Sequence, residues 1–311
     1  MQPEPALIQR EDGIEDVPVK PASLTAEDDR ALEKGLDALQ QETSVRSSWK
    51  ASITKALLPV AALAAVIYAW QMYIWIARPR PDQLPGPADV FGTLGTLWQN
   101  GEAVETVLTS LQRGVVGFVI AVVIATPLGL LLAQSRILRG AFGPLISGLQ
   151  VLPSVAWVPA AVIWFGLSDA TVYFVVLMGA IPSITNGLIA GVDHVPDQHR
   201  RVGHVLGASR WELATRIILP AALPSYVSGL KQGWAFSWRS LMAAEIIATG
   251  GTLGFGLGAL LDQGRQFSSM ATVIAAILLI LFIGIVVELL IFGPLERRLL
   301  RRRGLLIGGS Q

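Results

Sequence analysis

The sequence predicts an all-α integral membrane protein with six transmembrane helices and a cytoplasmic N-terminal extension. Three observations carry this. Of 311 residues, 52% are hydrophobic and 15% charged, and the mean hydropathy is +0.54, a balance outside that of ordinary soluble chains. Six apolar segments reach the roughly 20 residues needed to cross a hydrocarbon core about 30 Å thick. Charge is also unevenly divided: residues 1–48 hold eleven acids against five bases, net −6, which leaves net +7 for the rest of a chain of net +1. There is no cysteine, so disulfides and thiolate metal sites are excluded.

Residues 1–48 begin rich in proline and acid and contain no apolar run of the signal-peptide type, so they are expected to remain in the cytoplasm as a mostly disordered tail. A short helix over 25–41 fits within it, with Thr25 and Asp28 as a capping pair and Leu32, Leu36 and Leu39 as a narrow apolar stripe. The transmembrane domain is expected over 49–311. Its first span covers 53–77, with Trp70, Tyr73 and Trp75 as an interfacial belt near its end. The prolines of RPRPDQLPGPADVF stop that helix, and an amphipathic helix is expected around 104–111. The second span is 114–133. The third, 144–167, contains Pro153 and Pro159 and is expected to be kinked or broken. The fourth is 171–192, the fifth 222–248 and the sixth 271–292, with a glycine-rich polar connection over 250–270. With six spans, Arg136 and Arg139, the bases of the loop at 200–216 and the basic tail at 297–303 all fall on one side. The positive-inside rule makes that side the cytoplasm and puts both termini there.

Between the fourth and fifth spans lies a polar, basic stretch at 194–220. Pro196 suits the first turn of a helix, and Gly207 suits the left-handed residue just past the end of one. Ser209 with Glu212 three residues on forms a capping box for a second helix. The first helix sets His199, Arg200 and Arg201 beside Val202, Val205 and Leu206, an amphipathic pattern that suits a solvated loop or a docking element equally.

Gly207, Ile217, Leu219 and Pro220 have the spacing of the cytoplasmic loop signature of binding-protein-dependent ABC importer permeases, which the chain resembles over roughly 106–298. The three residues at the signature's E-A-A positions are Arg201, Val202 and Gly203, a departure from the family. Within the family the chain looks most like the sulfonate, taurine or nitrate subfamily, on LPGPADVF, VLPSVAWVPAAVIWFGL and WAFSWRSLMAAEIIA followed by GFG. The resemblance implies a type I ABC importer permease fold in a bacterial cytoplasmic (inner) membrane. It makes 194–220 the coupling loop to a separate ATPase, with Arg200, Arg201, Gly207, Ala208, Ser209, Trp211 and Glu212 as the coupling residues. It also implies two copies of the chain surrounded by lipid, two ABC ATPase subunits that bind ATP and magnesium, and an external solute-binding protein. Alternating access would then move a small anionic solute.

The chain has no GxxxxGK[ST], so a phosphate-cradling loop must belong to another subunit, and no cofactor is expected in this one. The run Gly254, Gly256, Gly258 lacks a downstream lysine and reads as a turn or close packing. No HExxH or GxSxG supports a hydrolase, and nothing points to nucleic acid. The fifth span carries Lys231, Arg239 and Glu245, and ionisable groups at membrane depth are functional candidates. Trp234, Trp238, Arg239 and Glu245 are therefore candidates for the translocation path. Arg239 suits either an anion path, through its fork of donors, or a structural pair with a carboxylate or carbonyl. Glu245 reads more readily as structural, and Glu288 as an interfacial or dimer-contact acid. An ion-coupled secondary transporter, the other reading, calls for inverted repeats and clustered intramembrane acids, and neither is present.

Overall fold

The computed structural model describes residues 49–302, and the expected tail at 1–48, with its leucine stripe, lies outside the described residues. The chain divides between Leu58 and Pro59 into two units. Of the first, residues 49–58 are described and form the start of a helix that continues into the second; the packing and sites below concern the second. Among the described residues the secondary structure is entirely helical.

Helix α1 (Trp49–Ala77) ends where the prolines begin. Helix α2 (Pro87–Gln99) follows and buries Pro87, Val90 and Leu97. This amphipathic helix lies before the expected position at 104–111. Those residues belong instead to α3 (Glu102–Gln134), a single helix that begins after Gly101 at φ 79°. No breaker separates Leu111 from Gly114, and Glu102 and Glu105 favour a start at the positive end of the helix dipole, so the span simply extends upstream.

The third span is broken. Helix α4 (Arg136–Val151) and the segment Ser154–Phe165, a 3₁₀ turn followed by α5 (Val158–Phe165), meet at 97° across Leu152 and Pro153. Pro153 has no amide proton to continue the ladder, whereas Pro159 sits in the first turn of α5, where none is needed. Counting that bent pair as one, six elements are long and apolar enough to cross a membrane.

Helix α6 (Asp169–Asp193) is central: 61% of its apolar window is buried, against 0% for the window of α1 within 57–77. Most side chains of that α1 window are exposed as lipid-facing residues are, while Trp70 packs against the cluster of Val90 and Leu97. Helix α6 crosses α8, a helix running over 210–247 as Arg210–Glu212, a π-helical turn Leu213–Ile218 and the main body Leu219–Ile247. At the crossing a Cβ on Gly187 would stand 2.5 Å from Gly229 Cα, so the two backbones touch, as membrane helices do where small residues meet. The core between α3, α6 and α8 holds Val172, Val176, Trp234, Trp238 and Leu241. Within the glycine-rich connection at 250–270 the chain forms α9 (Leu257–Gln266). Helix α10 (Met270–Val287) then passes through a π turn, Glu288–Phe292, into α11 (Gly293–Arg302).

Candidate coupling loop and membrane recess

The loop between α6 and α8 is built by local chemistry. Helix α7 (Asp197–Val205) follows Pro196, which is its cap and not its first residue. It ends at Gly207, φ 75°, with the Ala208 amide donating to Gly203 O and the Gly207 amide to His204 O, both at 3.0 Å. That pair of bonds satisfies the last carbonyls of the helix, and the left-handed conformation it requires favours glycine. The next helix starts at once. The Glu212 amide donates to Ser209 Oγ at 3.2 Å, and the Ser209 amide and hydroxyl donate to Glu212 Oε2 at 3.1 and 3.0 Å. These bonds, first the one from the Ser209 amide and then that from its hydroxyl, hold the Glu212 carboxyl below its ordinary value, and Arg216 at 3.5 Å adds to the effect.

The loop is attached to the bundle at both ends. Arg139 at the start of α4 donates through both terminal nitrogens to Asp193 at the end of α6. Gly203 packs so closely on the π turn that a Cβ there would lie 2.5 Å from Leu213 Cδ1 and 2.7 Å from Ile217 Cδ1. The alanine usual at that signature position therefore has no room without a shift of those two side chains. What faces outward is apolar: Val205 is 86% exposed, Leu206 78% and Trp211 75%. Arg201 and Ser209 are exposed, Ala208 half-buried, and Arg200 lies on α7 with its side chain outside the described ones.

The expected path residues divide into two places. Trp234, Trp238 and Arg239 line one recess of about 540 Å³ together with Lys231, Gln232 and Glu288. The two indoles stack with centroids 6.0 Å apart and planes 19° apart, and Trp238 Nε1 donates to Ile280 O at 3.3 Å, which ties α8 to α10. Arg239 is exposed and donates through Nε to Ala235 O at 3.1 Å, while its Cζ stands 4.7 Å from the centre of the Phe236 ring. No carboxylate lies within ion-pair distance of it among the described residues. It also borders a second recess, of about 290 Å³, at the break between α4 and α5.

Glu245 is elsewhere, fully buried, and the residue that accounts for it was missed from the sequence. Arg113 donates through Nη1 to Glu245 Oε1 at 3.0 Å and to Gly254 O at 3.1 Å, and through Nε to Asp169 Oδ1 at 2.8 Å. Glu245 Oε2 accepts from Ser110 Oγ at 2.7 Å and from the Gly258 amide at 3.0 Å. The glycine run lies directly over this carboxylate: a Cβ on Gly256 would be 2.4 Å from Glu245 Oε1. Close backbone packing, one of the two structural readings of that run, is what the site uses. Glu288 pairs with Lys231.

Residues 125–301 match the family model of the binding-protein-dependent transport system inner membrane component. The chain is 30% identical over 268 residues to the taurine transport system permease protein of Escherichia coli K12, covering 82% of this chain and 94% of that one. It is 28% identical over 258 residues to a bicarbonate transport system permease protein of Synechococcus elongatus, with coverage of 77% and 88%. To a nitrate import permease protein of Synechocystis it is 27% identical over 243 residues, with coverage of 75% and 86%. A chain of the MetNI methionine ABC transporter, solved in inward-facing conformations, superposes with TM-score 0.54 at 17% identity over 63% of this chain and 95% of that one, which is a likeness of fold.

Proposed function

The chain belongs to the binding-protein-dependent transport system inner membrane components, the permease subunits of ABC importers, and from that membership we propose that it passes a small oxyanion along α8. The observation that carries the solute class is Arg239, a guanidinium at membrane depth with no carboxylate partner among the described residues, at the edge of two recesses and beside two stacked indoles. An uncompensated cation at such depth is costly unless a ligand or water meets it, and guanidinium presents a fork of donors that matches planar or tetrahedral oxyanions. Relatives are named for taurine, bicarbonate and nitrate, solutes that each bear a sulfonate, carbonate or nitrate oxyanion group.

The loop at 194–220 is the coupling element in this reading. Its exposed Val205, Leu206 and Trp211 offer the apolar contact, Arg201 the charge, and the Gly207 turn with the Ser209–Glu212 box holds them in one geometry. Two copies of the chain form the path, with this loop, the acidic tail and both termini in the cytoplasm. Partner ATPases bind ATP and magnesium and hydrolyse it, and an external binding protein delivers the solute. Closure of the ATPases draws the two loops together and opens the path outward.

ATP-dependent uptake by the reconstituted complex tests this, with taurine, bicarbonate and nitrate compared against a cationic amino acid. Uptake of one or more of the anions, and not of the cation, supports the reading. Uptake that follows an ion gradient without ATP returns the secondary transporter.

A further inference from the structure

Lys231, Ala235 and Arg239 are spaced by four residues, so the two cations share one face of α8, about 12 Å apart along its axis at 1.5 Å per residue. Both line the same recess, and they are not equivalent. Arg239 stands without a carboxylate, whereas Lys231 Nζ lies 2.5 Å from Glu288 Oε1 and 3.7 Å from Glu296 Oε2. None of the three side chains of this cluster is buried: Lys231 is 40% exposed and each carboxylate 42%. Glu288 is the first residue of the π turn that interrupts the last helix, and such turns re-aim side chains at functional positions. One carboxylate is enough to neutralise an ammonium. Two give the cluster a net negative charge, on the side of Arg239 nearer the coupling loop.

We infer that Lys231 is a second anion station of the recess, latched by Glu288 and Glu296, for the same oxyanion class that Arg239 receives. The inference rests on the reading of Arg239 as a path residue. An anion drawn to Arg239 meets net negative charge two helical turns further along the same face and is held there. Half-exposed ion pairs are weak, so a small displacement of α10 against α8 separates Glu288 from Lys231 and frees the ammonium for the solute. The latch thus makes passage from Arg239 towards the loop conditional on helix movement. A pair that merely fastened α8 to α10 would respond alike to loss of either partner. A charge station responds with opposite signs.

The test uses the permease purified with its ATPase and two quenchers of indole fluorescence, iodide, which is an anion, and acrylamide, which is neutral. A Trp234→Phe/Trp238→Phe complex supplies the signal of the other seven tryptophans for subtraction. The ratio of iodide to acrylamide quenching is expected to rise about two- to five-fold in Glu288→Gln and to fall by a similar factor in Lys231→Gln. It should return to within about two-fold of the parent in the double variant, whose net charge at the pair is restored. A ratio moved in the same direction by both single variants, or by neither, overturns the proposal. So does a change in acrylamide quenching that matches the change in iodide, because the pair then only shapes the recess. Arg239→Gln tests the underlying reading separately: an unchanged ratio in that variant removes Arg239 from the path, while opposite signs at Lys231 and Glu288 keep the station.

Discussion

Arg113 and Glu245, 132 residues apart, meet at 3.0 Å where Glu245 is fully excluded from solvent, and between them they use nearly every polar atom they possess. Desolvating two charges is expensive, and a pair like this repays it only when the remaining donors and acceptors are also satisfied. Here Asp169, Ser110, Gly254 O and the Gly258 amide do so. The pair joins α3, the start of α6, α8 and the 250–258 connection at one end of the bundle.

Arg113→Met therefore leaves the Glu245 carboxylate buried without its counter-charge, held only by Ser110 and the Gly258 amide, at a cost of about 3–5 kcal/mol. The expected result is a sharply lower thermal midpoint for the detergent-purified complex and less permease in the membrane. Arg113→Met combined with Glu245→Leu should recover much of the loss, since it removes the stranded charge. A midpoint unchanged by the single variant would show that the pair contributes nothing to stability.

Gly207→Val forces a β-branched residue to φ 75°, at a cost of about 1–3 kcal/mol in local geometry. The strain falls on an exposed turn, so insertion into the membrane should be normal while stimulation of the partner ATPase by loaded binding protein drops. Asn tolerates the left-handed region, and Gly207→Asn should retain most of the coupling. Equal coupling in the Val variant and the parent would remove this turn from the mechanism.

How far these features were legible depends on sequence distance. Ser209 and Glu212 are three residues apart, and a helix start is a local matter, so their spacing announced the hydrogen bonds that form. The long spans were equally readable, because hydropathy is a window property, and Pro153 marked the break in the third. Arg113 was not read, for it sits one residue before the expected second span and looked like a boundary charge, while its partner lies 132 positions on. The amphipathic helix was placed at 104–111 and not at Pro87–Gln99 because the Pro and Gly around the latter suggested a loop, although Pro87 begins that helix in the first turn, where proline is welcome. Lys231 and Glu288 were each noticed but not paired, since nothing local links α8 to a π turn 57 positions later.

The Ser209–Glu212 box has a definite pH dependence. Because the folded loop lowers the Glu212 carboxyl, its contribution is fully present above the ordinary carboxylate value and is lost as pH falls through the lowered one. The protection of the Ser209 amide, its exchange rate relative to that of a free peptide at the same pH, should thus be constant near neutrality and fall only under acid conditions below the ordinary carboxylate range. Glu212→Gln keeps a capping side chain at every pH and should remove the acid-dependent step, while Glu212→Ala should expose the amide throughout. An acid step of the same size in Glu212→Gln would assign it to another group.

Arg239 offers the most direct test of the solute class. Its Nε bonds to a backbone oxygen of its own helix and its plane is near the Phe236 ring, contacts that steer the guanidinium without neutralising it. Arg239→Ala removes both the charge and the donor fork, and Arg239→Lys keeps the charge alone. If a sulfonate, nitrate or bicarbonate is gripped there in the course of transport, uptake should fall in the order parent, Lys, Ala. Loss of one charge-assisted bond, about 1.5–3 kcal/mol, corresponds to a fall of roughly ten- to a hundred-fold in the alanine variant. Structural use of the residue predicts something else, a lowered thermal midpoint in both variants, with normal turnover per surviving complex. Measuring uptake and midpoint on the same preparations separates the two, and normal uptake at a normal midpoint in Arg239→Ala excludes the residue from either role.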